Sequence, residues 1–173
     1  MRKHLKKKMS DHDPFNEPEI AHPRARELMT EDFFWDCTDE EAPFGSDEGD
    51  TAYNEFRSWR GQNKQENLTE CLAWIMNEES LDNYNEELFS DAVIEQDLEN
   101  PEDAFLADEY DMFTLDATII ATALGQLMDE GKIDESAKPY VRVAINRQLH
   151  PKVLTSEHRK NILLSVKRVV DVA

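Results

Sequence analysis

The feature that most constrains the fold is a series of apolar residues at helical spacing between Leu115 and Glu130. Apolar side chains recur there at every third or fourth position, which is typical of an amphipathic helix. Alanine and glycine at several of these positions would let a neighbouring helix approach closely, and Gly131 is suited to end the helix. We therefore expect this segment to be the central helix of the fold.

The same periodicity recurs along most of the chain, with capping residues, glycine or proline between the patterns. Besides a short helix near 22–29, it predicts helices near 46–60, 67–76, 85–98, 135–149 and 155–170. Gly61 is expected to end the helix that begins at Ser46 or Asp47. The adjacent aromatic residues Phe33 to Trp35 lack helical spacing, and they predict a short extended segment or a buried loop anchor. The predicted fold class is all-α: a single-domain, irregular helical bundle of about six helices with room for one short extended segment.

The composition divides the chain into two regions. Residues 1–20 have few apolar side chains and two prolines, so we predict a disordered or loosely attached tail, followed by one helical domain over 21–173. Residues 1–8 are basic, and the change to acidic composition after them predicts an upstream extension. No apolar stretch approaches the ~20 residues that span a membrane. No apolar signal region follows the basic N-terminus, and two cysteines cannot build a disulfide framework, so we expect a cytoplasmic protein.

Charge is distributed very unevenly along the sequence. The chain has 38 acidic and 19 basic side chains, for a net charge of −19. Residues 61–135 carry 21 acidic and two basic side chains, whereas residues 136–173 carry eight basic and two acidic ones. Three interpretations stay open: the basic end neutralises the acidic body, the acidic body binds a basic protein, or the basic end binds nucleic acid. The overall negative charge repels phosphate at long range and makes the nucleic-acid interpretation the weakest.

No catalytic signature appears in the sequence. There is no Gly-x-Ser-x-Gly motif, no HExxH motif and no glycine-rich phosphate loop, and no two histidines are four residues apart. Cys71 lies on an apolar helical stripe and Cys37 lies among acidic residues, which raise the pKa of a thiol, so both are predicted to be inert. These observations favour a protein without enzymatic activity and imply no cofactor.

The irregular acidic loop 39–50 is a candidate site. Repulsion among its carboxylates is relieved by solvent, by a basic partner or by a divalent cation. Asp47, Glu48 and Asp50 are the candidate residues for binding either the partner or the cation. Their spacing differs from that of an EF-hand. A metal-dependent hydrolase that uses this loop is therefore the alternative from the enzyme class.

Other candidate residues are aromatic or basic. Arg57 and Trp59 are candidate anchors for a partner, since both residue types are favoured at interfaces. Trp74 neighbours an apolar stripe and is expected in the core. The last helix carries four basic residues on its predicted outer face, and these are the candidates for nucleic-acid binding: Arg159, Lys160, Lys167 and Arg168.

Three stretches carry a resemblance to a known family. They are Ala21-His22-Pro23-Arg24-Ala25, Asp32-Phe33-Phe34-Trp35-Asp36 and Pro43-Phe44-Gly45-Ser46-Asp47-Glu48-Gly49-Asp50-Thr51-Ala52-Tyr53. In these the chain resembles the YfeS-like family of uncharacterised bacterial proteins. The resemblance implies a bacterial origin. More distant similarity to small bacterial domains implies an accessory or immunity-type role, and it implies no catalytic residue.

The hypothesis that best fits these observations is a non-enzymatic interaction protein. Its acidic residues would bind a basic protein partner, in an immunity-type or regulatory role. Metal binding by the loop 39–50 and nucleic-acid binding by the last helix remain the alternatives.

Overall fold

The computed structural model describes residues 13–173, and within this range it contains helices and turns and no strand. Four short 3-10 turns lie before or between the α-helices, at Pro18–Ile20, Asp32–Trp35, Glu86–Phe89 and Pro101–Asp103. The eight α-helices of the described residues are α1 (Pro23–Leu28), α2 (Asp47–Gln62), α3 (Leu68–Met76), α4 (Glu78–Leu81), α5 (Asp91–Glu99), α6 (Met112–Glu130), α7 (Lys138–Leu149) and α8 (Glu157–Val172). The predicted all-α fold class is confirmed.

Helix α6 is the centre of the fold, as its sequence predicts. Every residue from Leu115 to Met128 is buried, because α2 and α7 both pack along the helix and α8 packs on α7. A Cβ atom at Gly125 would lie 2.7 Å from Cδ2 of Tyr53, so glycine permits the close approach of α2. Gly131 ends the helix in the left-handed conformation, with a φ of 76°.

Side-chain caps fix the starts of several helices where the sequence predicts them. Ser46 Oγ accepts a hydrogen bond from the Gly49 backbone N–H at 3.1 Å, and Ser156 Oγ accepts one from the Arg159 N–H at 2.9 Å. Asn67 caps α3 in the same way. These bonds satisfy N–H groups that have no partner within the helix.

Two of the predicted helix boundaries are clearly wrong. Helix α2 continues through Gly61 to Gln62. The helix predicted from residue 85 begins at Asp91, because Ser90 caps it and a 3-10 turn occupies Glu86–Phe89. Of the two alternatives at Phe33 to Trp35, the buried anchor is confirmed: the segment is a 3-10 turn in which the Phe34 ring is fully buried.

Contacts with the core extend further toward the N-terminus than the predicted domain boundary. Pro14 is buried, and the ring of Phe15 lies 5.3 Å from that of Phe44 and 6.1 Å from that of Tyr53. Residues 13–20 of the predicted tail are therefore attached to the domain. The rest of that tail, residues 1–12, lies outside the described residues, and so does the proposed upstream extension.

A fully buried ion pair joins helices α6 and α7. Arg147 of α7 donates to Asp116 of α6 at 2.7 and 2.8 Å, and both side chains are 0% exposed. The hydroxyl of Tyr84 and the amide of Gln148 each donate to the same carboxylate at 2.6 Å. Burial by itself lowers the pKa of Arg147, but the charge and hydrogen bonds of Asp116 outweigh it and raise that pKa. The guanidinium therefore stays charged.

Replacing one member of this pair is expected to destabilise the fold strongly. Arg147→Met leaves Asp116 buried without its cation, so the free energy of unfolding should fall by about 3–5 kcal/mol. The matched control is Arg142→Met, which removes a guanidinium from the same helix whose pair with Asp171 is half exposed. Its loss should be about 0–1 kcal/mol. Urea unfolding followed by circular dichroism measures both, and equal losses would contradict the assigned role.

Candidate functional site

Acidic side chains are concentrated in residues 66–111, which comprise α3, α4, α5 and their connecting turns. We call this stretch the acidic segment. It contains sixteen acidic residues and no lysine or arginine. All but Asp97 are exposed. The helices of this segment therefore bury most of their apolar side chains and direct nearly all of their carboxylates to solvent.

Few of these exposed carboxylates have a cationic partner. Within the described part of the chain, Asp91 pairs with His150 and Glu95 pairs with Lys152, and the other thirteen exposed carboxylates form no ion pair. The basic C-terminal end of the chain therefore neutralises only a small part of the charge of this segment. The described surface of this segment keeps a large uncompensated negative charge.

The cations of the C-terminal segment pair largely with other parts of the protein. Arg168 binds the Glu31 carboxylate at 2.7 Å, and Arg142 binds that of Asp171 at 3.0 Å. Arg159, predicted on the outer face of the last helix, is instead buried and donates to the Glu41 carbonyl at 2.5 Å.

The predicted nucleic-acid surface is therefore not a free basic face. Of its four residues, Arg159 is buried, Arg168 is paired, and Lys160 lies 3.9 Å from the Glu157 carboxylate. The Lys167 ammonium donates to the Asn146 side chain at 3.4 Å. Each of the four charges is engaged within the protein.

Trp74 departs most clearly from its predicted place. Its side chain is 57% exposed, because Cys71, Leu72 and Ile75 occupy the inward side of α3. Glu70 precedes it by one helical turn and is also exposed. A large aromatic ring therefore lies on the solvent side of the acidic segment, beside a carboxylate.

The two predicted aromatic and basic anchors lie elsewhere and are engaged within the protein. Trp59 is 8% exposed and packs in the core. Arg57 pairs with Asp129 at 3.0 Å, and its guanidinium lies 3.9 Å from the centre of the Tyr53 ring. These contacts hold α2 against α6 and leave neither residue as an exposed anchor.

The acidic loop 39–50 is held against the start of α8. The hydroxyl of Ser156 donates to the Glu41 carboxylate at 2.8 Å, and His158 contacts the Asp39 carboxylate at 2.7 Å. The loop is therefore bound to the helix through its own carboxylates.

The candidate metal ligands of this loop lie in the first turn of α2. Asp47 and Asp50 are exposed and Glu48 is half-buried, where the positive end of the helix dipole stabilises their charges. Across residues 13–173, no three His, Cys, Asp or Glu side chains are close enough together to hold a metal ion.

A groove of about 620 Å³ separates the turn at 82–89 from α7. Carboxylates of the acidic segment line one side, and side chains of α7, among them Tyr140 and Val143, line the other. Sequence reasoning misses this groove, because its two sides are at least fifty residues apart in the chain.

Comparison with known proteins adds no relative. No protein-family model, no curated protein and no solved structure matches the chain. The resemblance to the YfeS-like family therefore stays a prediction. Within residues 13–173, no helix has both the length and the apolar character that crossing a bilayer requires.

The contact between the loop and α8 is expected to depend on pH. The hydrogen bond that His158 donates to the Asp39 carboxylate, together with the charges of Asp39 and Glu41, raises the pKa of His158 above its ordinary value of 6.5. A raised folded-state pKa means that the contact stabilises fully below about pH 6.5 and is lost as the pH rises through the folded value. An NMR titration of the His158 ring measures this pKa.

Two variants test the assignment. Asp39→Asn should return the pKa of His158 toward its ordinary value, while Glu40→Gln, at the neighbouring exposed carboxylate, should leave it unchanged. A His158 pKa that is ordinary in the wild type, or equally raised in Asp39→Asn, would exclude this contact in solution.

Proposed function

We propose that this chain is a non-enzymatic interaction protein that binds a basic protein partner through its acidic segment. The observation that carries the proposal is the set of thirteen exposed carboxylates within residues 66–111 that form no ion pair in the described chain. Most of the basic C-terminal residues, among them Arg142, Arg147 and Arg168, instead pair with acidic residues outside this segment.

The electrostatics favour a macromolecular partner of opposite charge. Carboxylates concentrated in one stretch repel one another, and a cationic surface that approaches them relieves this repulsion. Complementary charge of this kind raises the association rate and selects among partners more than it adds affinity. The effect acts over about 10 Å at 0.1 M salt and is screened at higher ionic strength.

Trp74 would add apolar contact area to the electrostatic attraction. Tryptophan is enriched among the residues that contribute most to binding energy, because it buries a large apolar area on contact. Its ring also attracts lysine and arginine side chains through cation–π contacts. An exposed tryptophan beside Glu70 therefore suits an interface with a basic protein.

The proposed role follows from binding itself. A protein of this kind acts by occupying its partner's surface, as an immunity-type inhibitor or a regulatory subunit does. The wider similarity noted in the sequence supports the same class.

Neutralising part of the acidic segment should weaken partner binding. The test variant is Glu70→Gln/Glu78→Gln/Glu79→Gln. The matched control is Glu17→Gln/Glu19→Gln/Asp32→Asn, which changes the net charge equally at exposed sites outside the segment. Proteins captured from lysate by the full chain are identified by mass spectrometry, and their affinities are then measured by calorimetry.

We expect basic proteins to be captured at low salt and released at high salt. Exposed charge pairs contribute about 0.2–1 kcal/mol each, so the test variant should bind about ten-fold more weakly while the control stays near the wild type. Trp74→Ala should also weaken binding without lowering the melting temperature. Capture that is insensitive to salt, or equal losses in both triple variants, would contradict the proposal.

A further inference from the structure

The groove between the turn at 82–89 and α7 has a rigid wall on the acidic side. Within this turn Leu88 is buried, the Asn85 side chain accepts a hydrogen bond from the Glu87 N–H at 3.0 Å, and the turn packs on α7. Tyr84 is fixed by its bond to Asp116 in the core. The position of this wall is therefore set by buried contacts rather than by the exposed side chains themselves.

Three carboxylates belong to this wall: Asp82, Glu86 and Glu87. All three are exposed, and none forms an ion pair within residues 13–173. Carboxylates so placed keep their full capacity to accept hydrogen bonds from a guanidinium or an ammonium group.

Aromatic and apolar surface completes the groove. The groove is also lined by Phe89 of the turn and by Tyr140 and Val143 of α7. The face of a tyrosine or phenylalanine ring attracts a cation within about 6 Å of its centre. The groove thus combines carboxylates with ring surface, the two groups that together bind a guanidinium.

The groove lining also includes one cation, and this cation is already paired. Arg142 lines it, but its guanidinium donates to Asp171 of α8 at 3.0 Å, and this pair compensates its charge. Among the described lining residues, the three carboxylates of the turn therefore outnumber the single, already paired, cation.

We propose that this groove binds arginine side chains of an extended basic segment in the partner. Arginine is favoured over lysine because its planar guanidinium stacks on aromatic rings and donates to two carboxylate oxygens at once. A groove of about 620 Å³ is large enough for more than one side chain and lies within the range of ordinary ligand sites. This inference rests on the proposed function and assigns it a specific contact.

The test uses the full chain and a defined probe, the capped peptide Gly-Arg-Gly-Arg-Gly. Backbone amide shifts are followed by ¹⁵N NMR at about 0.1 M salt, where nearby charges still interact. Matched peptides carry citrulline, a neutral isostere, or lysine in place of arginine. We expect saturable shifts confined to residues 82–89 and 139–146, with at least ten-fold weaker binding of the citrulline peptide and weaker binding of the lysine peptide.

Variants separate the groove from the rest of the acidic segment. Glu86→Gln/Glu87→Gln and Tyr140→Leu should each weaken the arginine peptide at least five-fold, while Glu70→Gln/Glu78→Gln/Glu79→Gln should leave its groove shifts nearly unchanged. Melting temperatures near that of the wild type establish that the variants are folded.

The outcomes distinguish this inference from the proposed function. Shifts spread over the whole acidic segment, or unaffected by the groove variants, would overturn the groove as an arginine site, while salt-dependent capture of basic proteins would leave the proposed function standing. Saturable binding of the arginine peptide in the groove by a chain that captures no basic protein would support the site and overturn the proposed function.

Discussion

The buried pair between Asp116 and Arg147 is the interaction on which the arrangement of the C-terminal half depends. Nη1 of Arg147 has no hydrogen-bond partner within the described residues, but two buried charges remain stable when they pair with each other and most of their remaining hydrogen-bonding capacity is met. Tyr84 and Gln148 meet it on the carboxylate side. Because Tyr84 belongs to the acidic segment, the pair also fixes that segment against α6 and α7. The contacts that neutralise the buried pair therefore also fix the position of the groove wall.

The charged side chains of the C-terminal helices are largely paired, whereas those of the acidic segment are largely unpaired within the described residues. Three arginines of α7 and α8, Arg142, Arg147 and Arg168, pair with Asp171, Asp116 and Glu31 and so stabilise helix contacts near the C-terminus. The carboxylates of the acidic segment receive almost none of this compensation. Self-repulsion of such a segment lowers the stability of the folded chain. A cationic partner would remove that cost, which gives the uncompensated charge a physical role in association.

The features proposed for binding are supported by the same elements that build the core. Helix α3 buries Cys71 and Leu72, and this orientation directs Trp74 outward. The turn at 82–89 is anchored by buried Leu88 and Tyr84, and this leaves its carboxylates facing solvent and the groove. Rigid support of this kind lowers the conformational entropy lost on binding. The packing of the acidic segment and its proposed recognition of a partner are therefore linked.

Local signals in the sequence were sufficient for the all-α class, the central helix and the cap at Asn67, since helical periodicity and capping depend on residues within one or two turns. They narrowed two further caps to pairs of neighbouring residues, of which Ser46 and Ser156 are the caps. The prediction that Gly61 ends its helix is wrong, because the helix continues to Gln62 and Asn63 is its C-cap. The exposure of Trp74, the burial of Trp59 and Arg159, and the groove were decided by tertiary structure alone. The apolar stripe of a helix does not predict which of the residues at its edges a neighbouring helix will cover. An ion pair or a groove between distant segments leaves no pattern in the local sequence. The sequence thus determined where helices form and how much charge they carry, while packing decided which charges are neutralised and which remain available to a partner.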